Sequence, residues 1–330
     1  MTDLSTRYMG LTLKNPIVVG SCGLTKSVDR IRQCEEAGAG AVVLKSIFEE
    51  QICHQVAELI QASSSGDAWG HPEAAEYIGQ YGRDDAVSSF LRLVEESKKT
   101  TSIPIIASIH CVTAGTWLEF AKRLEGAGAD ALELNLHVHS TDPKLTGADK
   151  EKIYFDVVAR VKQASRLPVA LKVAPYFSSP ANVLVRLSRS GVDSLTLFNR
   201  LYRLDFDIEK RQVVPAKFLS AKDEHLLALR WISILSPQAG CDLAAATGIH
   251  DSAAVIKQLL AGAKATQVVS ALYQHGLGHL RTMLDELEAW MQRSGYATIE
   301  AFRGTMSQAK SGNAAAFERV QFMKYSVGIK

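Results

Sequence analysis

A single (β/α)8 TIM barrel is the fold this sequence predicts. Three observations point to it: eight short apolar runs, an amphipathic stretch after each, and a length that one such barrel fills. The chain has 330 residues, 47% of them hydrophobic, within the usual span of one α/β barrel with insertions. Strands alternating with helices imply parallel strands joined by right-handed crossovers. Eight such units suggest closure, where an open doubly wound sheet would usually have fewer. One domain over 1–330 is expected, with the barrel at about 11–293 and 294–330 as a C-terminal extension of extra helix.

The apolar runs fall at 16–20, 40–45, 103–109, 131–136, 167–173, 192–198, 241–247 and 265–270. Most are apolar on both faces and partly β-branched, the pattern of parallel strands buried on both sides. Helical spacing follows at 25–37, 84–99, 115–126, 149–163, 179–190, 222–235, 251–261 and 276–293. In the first of these, Val28, Ile31, Cys34 and Ala37 fall on one face. Several helices end in glycine, as in EEAGAG, EGAGAD and LAGAKA, a residue suited to helix C-termini. Two connections are too long for simple turns: 46–83 after strand two and 199–221 after strand six. Both leave the C-terminal ends of strands, where barrel enzymes place their chemistry, and long loops in compact domains are commonly functional.

Composition excludes several function classes. Thirty-seven basic and 35 acidic residues give a formal net charge of +2, so neither a nucleic-acid groove nor an anionic membrane surface is expected as partner. The opening MTDLSTRYMG is polar, without the basic start and apolar core of a signal peptide. No apolar run is long enough to span a bilayer, and a cytoplasmic location is expected. Cys22, Cys34, Cys53, Cys111 and Cys241 are odd in number and nowhere at CxxC spacing, which fits free thiols in a reducing compartment. His54, His71, His110, His137 and His139 form no HxxxH pair, so no metal is expected.

The strand ends carry the chemistry. Strand one ends in Gly20-Ser21-Cys22-Gly23, strand two in Lys45-Ser46, and strand three near Ser108 and His110. Strand four ends in Asn135-Leu136-His137-Val138-His139-Ser140, strand five in Lys172, strand six in Asn199-Arg200. Strand seven ends in Ala246-Thr247-Gly248 and strand eight in Ser270-Ala271. A lysine closing an apolar strand must reach water or an anion, because burying a bare ammonium is costly. Two lysines and two amides suit an electron-rich ring and its phosphate. Thr247, Gly248, Ser270 and Ala271 suit the phosphate itself, which barrels often hold after strands seven and eight. Arg200 and Arg203 could bind a carboxylate bidentately or pair with the Asp205, Asp207 and Glu209 cluster of a hairpin-like insertion. Trp117, Trp231 and Trp290 read as packing residues on helices.

Taken together these pieces resemble the dihydroorotate dehydrogenase family, in particular its soluble class 1 branch and a divergent dihydroorotate dehydrogenase-like subgroup. The resemblance runs from about Leu11 to Gly276. It is carried by Asn15-Pro16 with the Gly20–Gly23 turn, by Lys45-Ser46, GADALELN, PVALKVAPY, LFNR and AATGI. It implies FMN as cofactor, with Gly20, Ser21, Cys22, Lys45, Ser46, Asn135, Lys172, Asn199, Thr247, Gly248, Ser270 and Ala271 around it. It implies substrate contacts from Lys45, Asn135, Ser140, Asn199 and Arg200, and catalytic roles for Lys45 and for His137 or His139. Lys172 would stand at the flavin pyrimidine, where positive charge favours the reduced form. The implied activity is oxidation of a CH–CH bond, dihydroorotate to orotate in pyrimidine biosynthesis. A soluble electron acceptor and a homodimer complete the expectation.

The substrate side departs from the family. There the strand-four loop reads N-L-S-C-P-N and its cysteine removes the substrate proton; here Val138 holds that position and Ser140 replaces the last asparagine. The family's N-S-M-G-L-P-N loop lines up loosely with Asp67-Ala68-Trp69-Gly70-His71-Pro72-Glu73. Three readings stay open: His137 or His139 serves as base, an imidazole's ordinary pKa near ~6.5 suiting that work; the substrate is another dihydro acid; or the protein binds flavin without catalysing this reaction.

Overall fold

A computed structural model describes residues 2–49, 72–110, 114–138, 141–201 and 203–318. Eight parallel strands close a barrel: β1 (Ile17–Val19), β2 (Ala41–Val43), β3 (Ile105–His110), β4 (Ala131–Asn135), β5 (Val169–Val173), β6 (Ser194–Leu197), β7 (Asp242–Ala245) and β8 (Ala265–Val268). Neighbours pair in chain order, and β8 returns to β1 through Thr266 opposite Ile17. After a break at 44–46, Ile47–Phe48 resumes pairing with the end of β3. Each of the eight barrel strands falls within one of the eight apolar runs, apart from the last residue of β3.

Helices cover the outside at Val28–Glu36, Pro72–Thr100, Ala114–Gly126, Gly147–Ala164, Pro180–Ser188, His225–Leu235, Ser252–Ala261 and His279–Arg293. The second begins at Pro72, well before the expected 84, so the connection after strand two is shorter than the sequence suggests. Of the extension after the last barrel helix, the described part at 294–318 differs from the expected packed helix: it consists mainly of short turns, with Ile299 and Phe302 fully buried and a four-residue helix at Ala315–Glu318. Trp117 is buried, and Trp231 and Trp290 pack against the core.

The barrel interior changes character from bottom to top. At the N-terminal ends of the strands, Ala41, Ala131, Ala170, Ala244 and Ala265 form a cluster with Tyr8, Met9 and Leu13. Alanines there leave room for a plug. A hairpin of Thr6–Tyr8 and Leu11–Leu13 fills it, turning through Met9 and Gly10, both at positive φ, as a two-residue hairpin turn of this hand requires. Asp242 Oδ2 accepts the Met9 amide at 2.8 Å and so ties the plug to β7. Further up, the alternate residues Ser108, Glu133, Lys172, Thr196 and Gln267 are polar, and all but Lys172 are fully buried.

Aspartates fasten neighbouring strands at their starts. Asp130 Oδ2 accepts the Ile105 amide at 2.7 Å and the Lys98 ammonium at 2.7 Å. Asp193 Oδ2 repeats this with the Val169 amide and Lys162, both at 2.8 Å. Among the described residues, no helix is long and apolar enough to cross a membrane.

Candidate active site

The C-terminal ends of β1, β2 and β3 meet through hydroxyls. Ser46 donates its amide to Ser21 Oγ at 2.8 Å, and its own Oγ lies 3.0 Å from Ser21 Oγ and 2.7 Å from Ser108 Oγ. This chain sits where strand two breaks, and the break leaves Lys45 exposed, its amide donating to Thr25 O at 3.3 Å. Gly20 packs tightly: a Cβ there would stand 2.9 Å from Val269 Cγ2 and 3.3 Å from Gln267 Oε1. Burial pushes the Cys22 thiol up, against a smaller pull downward from the Lys172 charge.

The axis of the barrel holds an ion pair. Lys172 Nζ lies 3.5 Å from Glu133 Oε1 and donates to Gln267 Oε1 at 2.8 Å. Gln267 Nε2 in turn donates to Glu133 Oε2, and Thr196 Oγ1 donates to the same oxygen at 3.4 Å. The sequence reading singled out Lys172 but missed Glu133 and Gln267. The available signal was an acidic and an amide side chain, each inside an otherwise apolar strand.

Asn135 and Asn199 come together, Asn199 Nδ2 donating to Asn135 Oδ1 at 2.7 Å. His110 Nδ1 lies 2.5 Å from Asn135 O. Past Asn135 the chain leaves the barrel: the Val138 amide donates to Tyr154 Oη at 3.3 Å, and the Val138 side chain packs against the core. His137 is half-buried beside it. His139 and Ser140 lie outside the described residues, as do Cys53, Cys111, His54, His71 and 67–71 of the second substrate loop.

Arg200 is already engaged. Its guanidinium bonds Glu224 Oε2 at 3.3 Å, Phe218 O at 2.9 Å and Lys217 O at 3.0 Å, and Arg203 reaches the same carboxylate at 3.0 Å. Pairing with the Asp205 cluster was one of two open readings for these arginines; the acidic partner the structure shows is Glu224. Hydrogen bonds and the two guanidinium charges hold its carboxyl below the ordinary value, against the opposing effect of burial. The insertion itself is an exposed hairpin, Leu204–Asp207 with Gln212–Pro215.

After β7, Thr247 and Gly248 follow in left-handed conformations, at φ 71° and 78°. A Cβ on Gly248 would collide with the main-chain nitrogen of His225, so this turn needs glycine. The Gly248 amide donates to Ser220 Oγ at 3.3 Å, Ser220 Oγ lies 3.0 Å from His250 Nε2, and the Ser220 amide donates to Ser270 Oγ at 3.0 Å. Burial holds the His250 imidazole below its ordinary pKa. Ser220 and His250 were not anticipated, because the long loop after β6 gives no sequence clue to where it returns. Ser270 opens a short helix, with Ala271 fully buried behind it.

These groups suit a phosphorylated flavin. Lys172 directs two ammonium N–H bonds to Gln267 and Glu133 and keeps a third for an acceptor. The Asn135–Asn199 pair offers amide donors and acceptors for ring edges, and Gly20 and Gly248 keep the backbone bare where neighbours approach closely. Two clefts, of about 390 and 230 Å³, open at the other end of the barrel, beside Asp242 and Asn15. The first includes Asp193, whose carboxylate is already spent on Lys162 and Val169, and chemistry in barrels of this kind sits at the C-terminal face.

The family model described as dihydroorotate dehydrogenase matches residues 3–291. The chain belongs to the dihydroorotate dehydrogenase family. Family members are FMN-dependent flavoproteins. The chain is 27% identical over 318 residues to a dihydroorotate dehydrogenase B (NAD(+)) catalytic subunit of Thermoplasma volcanium, covering 92% of this chain and 98% of that one. A putative dihydroorotate dehydrogenase A (fumarate) of Aeropyrum pernix is 28% identical over 312 residues, covering 93% and 98%. A catalytic subunit from Methanosarcina mazei, also named for the B enzyme, is 28% identical over 302 residues, covering 89% and 92%.

Proposed function

We propose that this chain is an FMN-dependent oxidoreductase that oxidises a CH–CH bond of a small dihydro acid, with dihydroorotate the foremost candidate. One observation carries the reading: Lys172, Asn135 and Asn199 leave adjacent strands of a family barrel and are held by hydrogen bonds at its C-terminal face. The FMN contacts would come from Gly20, Ser21, Cys22, Lys45, Ser46, Asn135, Lys172, Asn199, Thr247, Gly248, Ser270 and Ala271. Bound there, FMN supplies a two-electron acceptor.

The chain's own residues then do the rest. Lys45, exposed at the break in strand two, meets the substrate's negative charge. The two amides orient the substrate ring, with Arg200 and Ser140 at its edge. His137 or His139 takes the proton from the carbon next to the one oxidised, since Val138 cannot. We assign all 330 residues to one domain, acting in the cytoplasm as a homodimer with a soluble acceptor.

Val138 favours a second reading, in which the substrate is a different dihydro acid. An anaerobic titration separates the two. Purified protein is expected to be yellow and to bleach with dihydroorotate. Bleaching by dithionite and by another dihydro acid, but not by dihydroorotate, would establish the second reading. A colourless protein that takes up no FMN would refute both.

A further inference from the structure

Glu133 has no place in the reaction sketched above, yet three other strands spend side chains on it. It is the middle inward residue of β4, between Ala131 and Asn135, and only 1% exposed. A carboxylate taken out of water is costly unless donors surround it. The donors are Lys172 from β5, Thr196 from β6 and Gln267 from β8.

Gln267 closes a ring. Its amide nitrogen serves Glu133 while its carbonyl oxygen accepts from Lys172 Nζ at 2.8 Å. The absence of a side chain at Gly20 lets Gln267 stand where it does. A lysine so near the barrel mouth could have reached water by extending its stem. Instead its side chain is 12% exposed and tied down at two points.

We propose that Glu133 and Gln267 are positioning residues for Lys172. They fix the height of its ammonium and offset part of its charge, and so set how strongly the site prefers reduced over oxidised FMN. This rests on the flavin reading given under Proposed function. Reduced FMN carries more negative charge than oxidised FMN, and an ammonium beside it favours the reduced form. A carboxylate on the far side of that ammonium subtracts from the preference, because opposite charges in a low-dielectric interior are felt strongly. Gln267 acts differently: it holds the ammonium in place without changing the charge count.

The two residues therefore predict opposite shifts. In the FMN-loaded protein, Glu133→Gln should raise the ratio of affinities for reduced over oxidised FMN at least tenfold, which is about 30 mV in midpoint potential for a two-electron couple. Gln267→Leu should lower that ratio, because Lys172 loses its closest partner. In a Lys172→Met background the effect of Glu133→Gln should shrink to less than threefold.

The readout is an anaerobic dye-equilibration titration of the bound flavin, with thermal melting run alongside. A purely structural pin would lower the melting temperature of both variants and leave the potentials together. If Glu133→Gln does not fold, the Gln267→Leu shift decides alone. A yellow wild type whose variants stay within threefold of its potential, or shift in the other directions, overturns this inference and leaves the flavin assignment intact. A wild type that binds no FMN overturns both.

Discussion

Replacing Gly248 by alanine tests the turn after β7 most directly. At φ 78° an L-residue carries a left-handed backbone penalty of roughly 1–2 kcal/mol. The new Cβ would also collide with the His225 main-chain nitrogen and stand 2.7 Å from Glu224 C. These are backbone atoms at the start of the helix His225–Leu235 and cannot swing aside as a flexible side chain would. Forcing an extra carbon into a filled site costs about 1–3 kcal/mol more. Gly128→Ala is the control: its φ is 84°, but nothing lies within 4 Å of the added carbon, so only the backbone share of about 1–2 kcal/mol applies. Urea unfolding followed by tryptophan fluorescence should place Gly248→Ala roughly 1–3 kcal/mol below Gly128→Ala. Flavin retention on gel filtration should fall only in the Gly248 variant. If the two variants unfold at the same urea concentration, the close approach of this turn to His225 is wrong.

Four further outcomes are expected. Asp130→Ala leaves the Ile105 amide unpaired and removes the partner of Lys98, so urea unfolding should show a loss of about 1.5–3 kcal/mol. Because burial depresses the His250 pKa, the folded chain binds fewer protons than the unfolded one. That stability is complete above the unfolded value near ~6.5 and is lost as pH falls through the folded value, so the urea midpoint should drop between pH 8 and pH 5, and drop less in His250→Gln. Burial pushes the Cys34 thiol up to about 12, so alkylation mapped by mass spectrometry at pH 8 should leave Cys34 unmodified until the protein unfolds. If Val138 stands at the family's proton-acceptor position, Val138→Cys supplies a thiol there in a side chain of similar volume; dihydroorotate oxidation should rise at least tenfold, and an unchanged rate would mean that the loop is aligned wrongly.

The barrel was legible because buried parallel strands have a simple signature. Ile17, Val18 and Val19 or Ala41, Val42 and Val43 are apolar on both faces, and few other local structures tolerate that in so short a run. Strand ends were legible for a related reason: Lys172 and Asn199 interrupt apolar runs where the fold places its open face. What escaped were contacts between residues distant in sequence. Ser220 reaches Gly248 and His250 only because the loop after β6 folds back over β7, and no local pattern in 199–221 records that. Glu224 capturing Arg200 and Arg203 is the same kind of event. The second helix starting at Pro72 escaped for another reason: weak amphipathicity near its start hid it among loop residues.

The distribution of kept and altered residues follows the mechanics of the scaffold. Lys172, Asn135 and Asn199 sit on or directly after strands whose neighbours pin them, so their geometry comes with barrel closure. Val138 lies beyond the end of β4, with His139 and Ser140 next in sequence, and loops after strands change without disturbing the sheet. In the proposed reading, electron transfer needs only the first group, because the cofactor carries that chemistry, and proton removal and substrate choice need the second. A chain that keeps the strand-borne residues and rewrites the loop can therefore keep its reaction type while changing which acid it accepts. Val138 is half-buried, packs against the core and gives its amide to Tyr154.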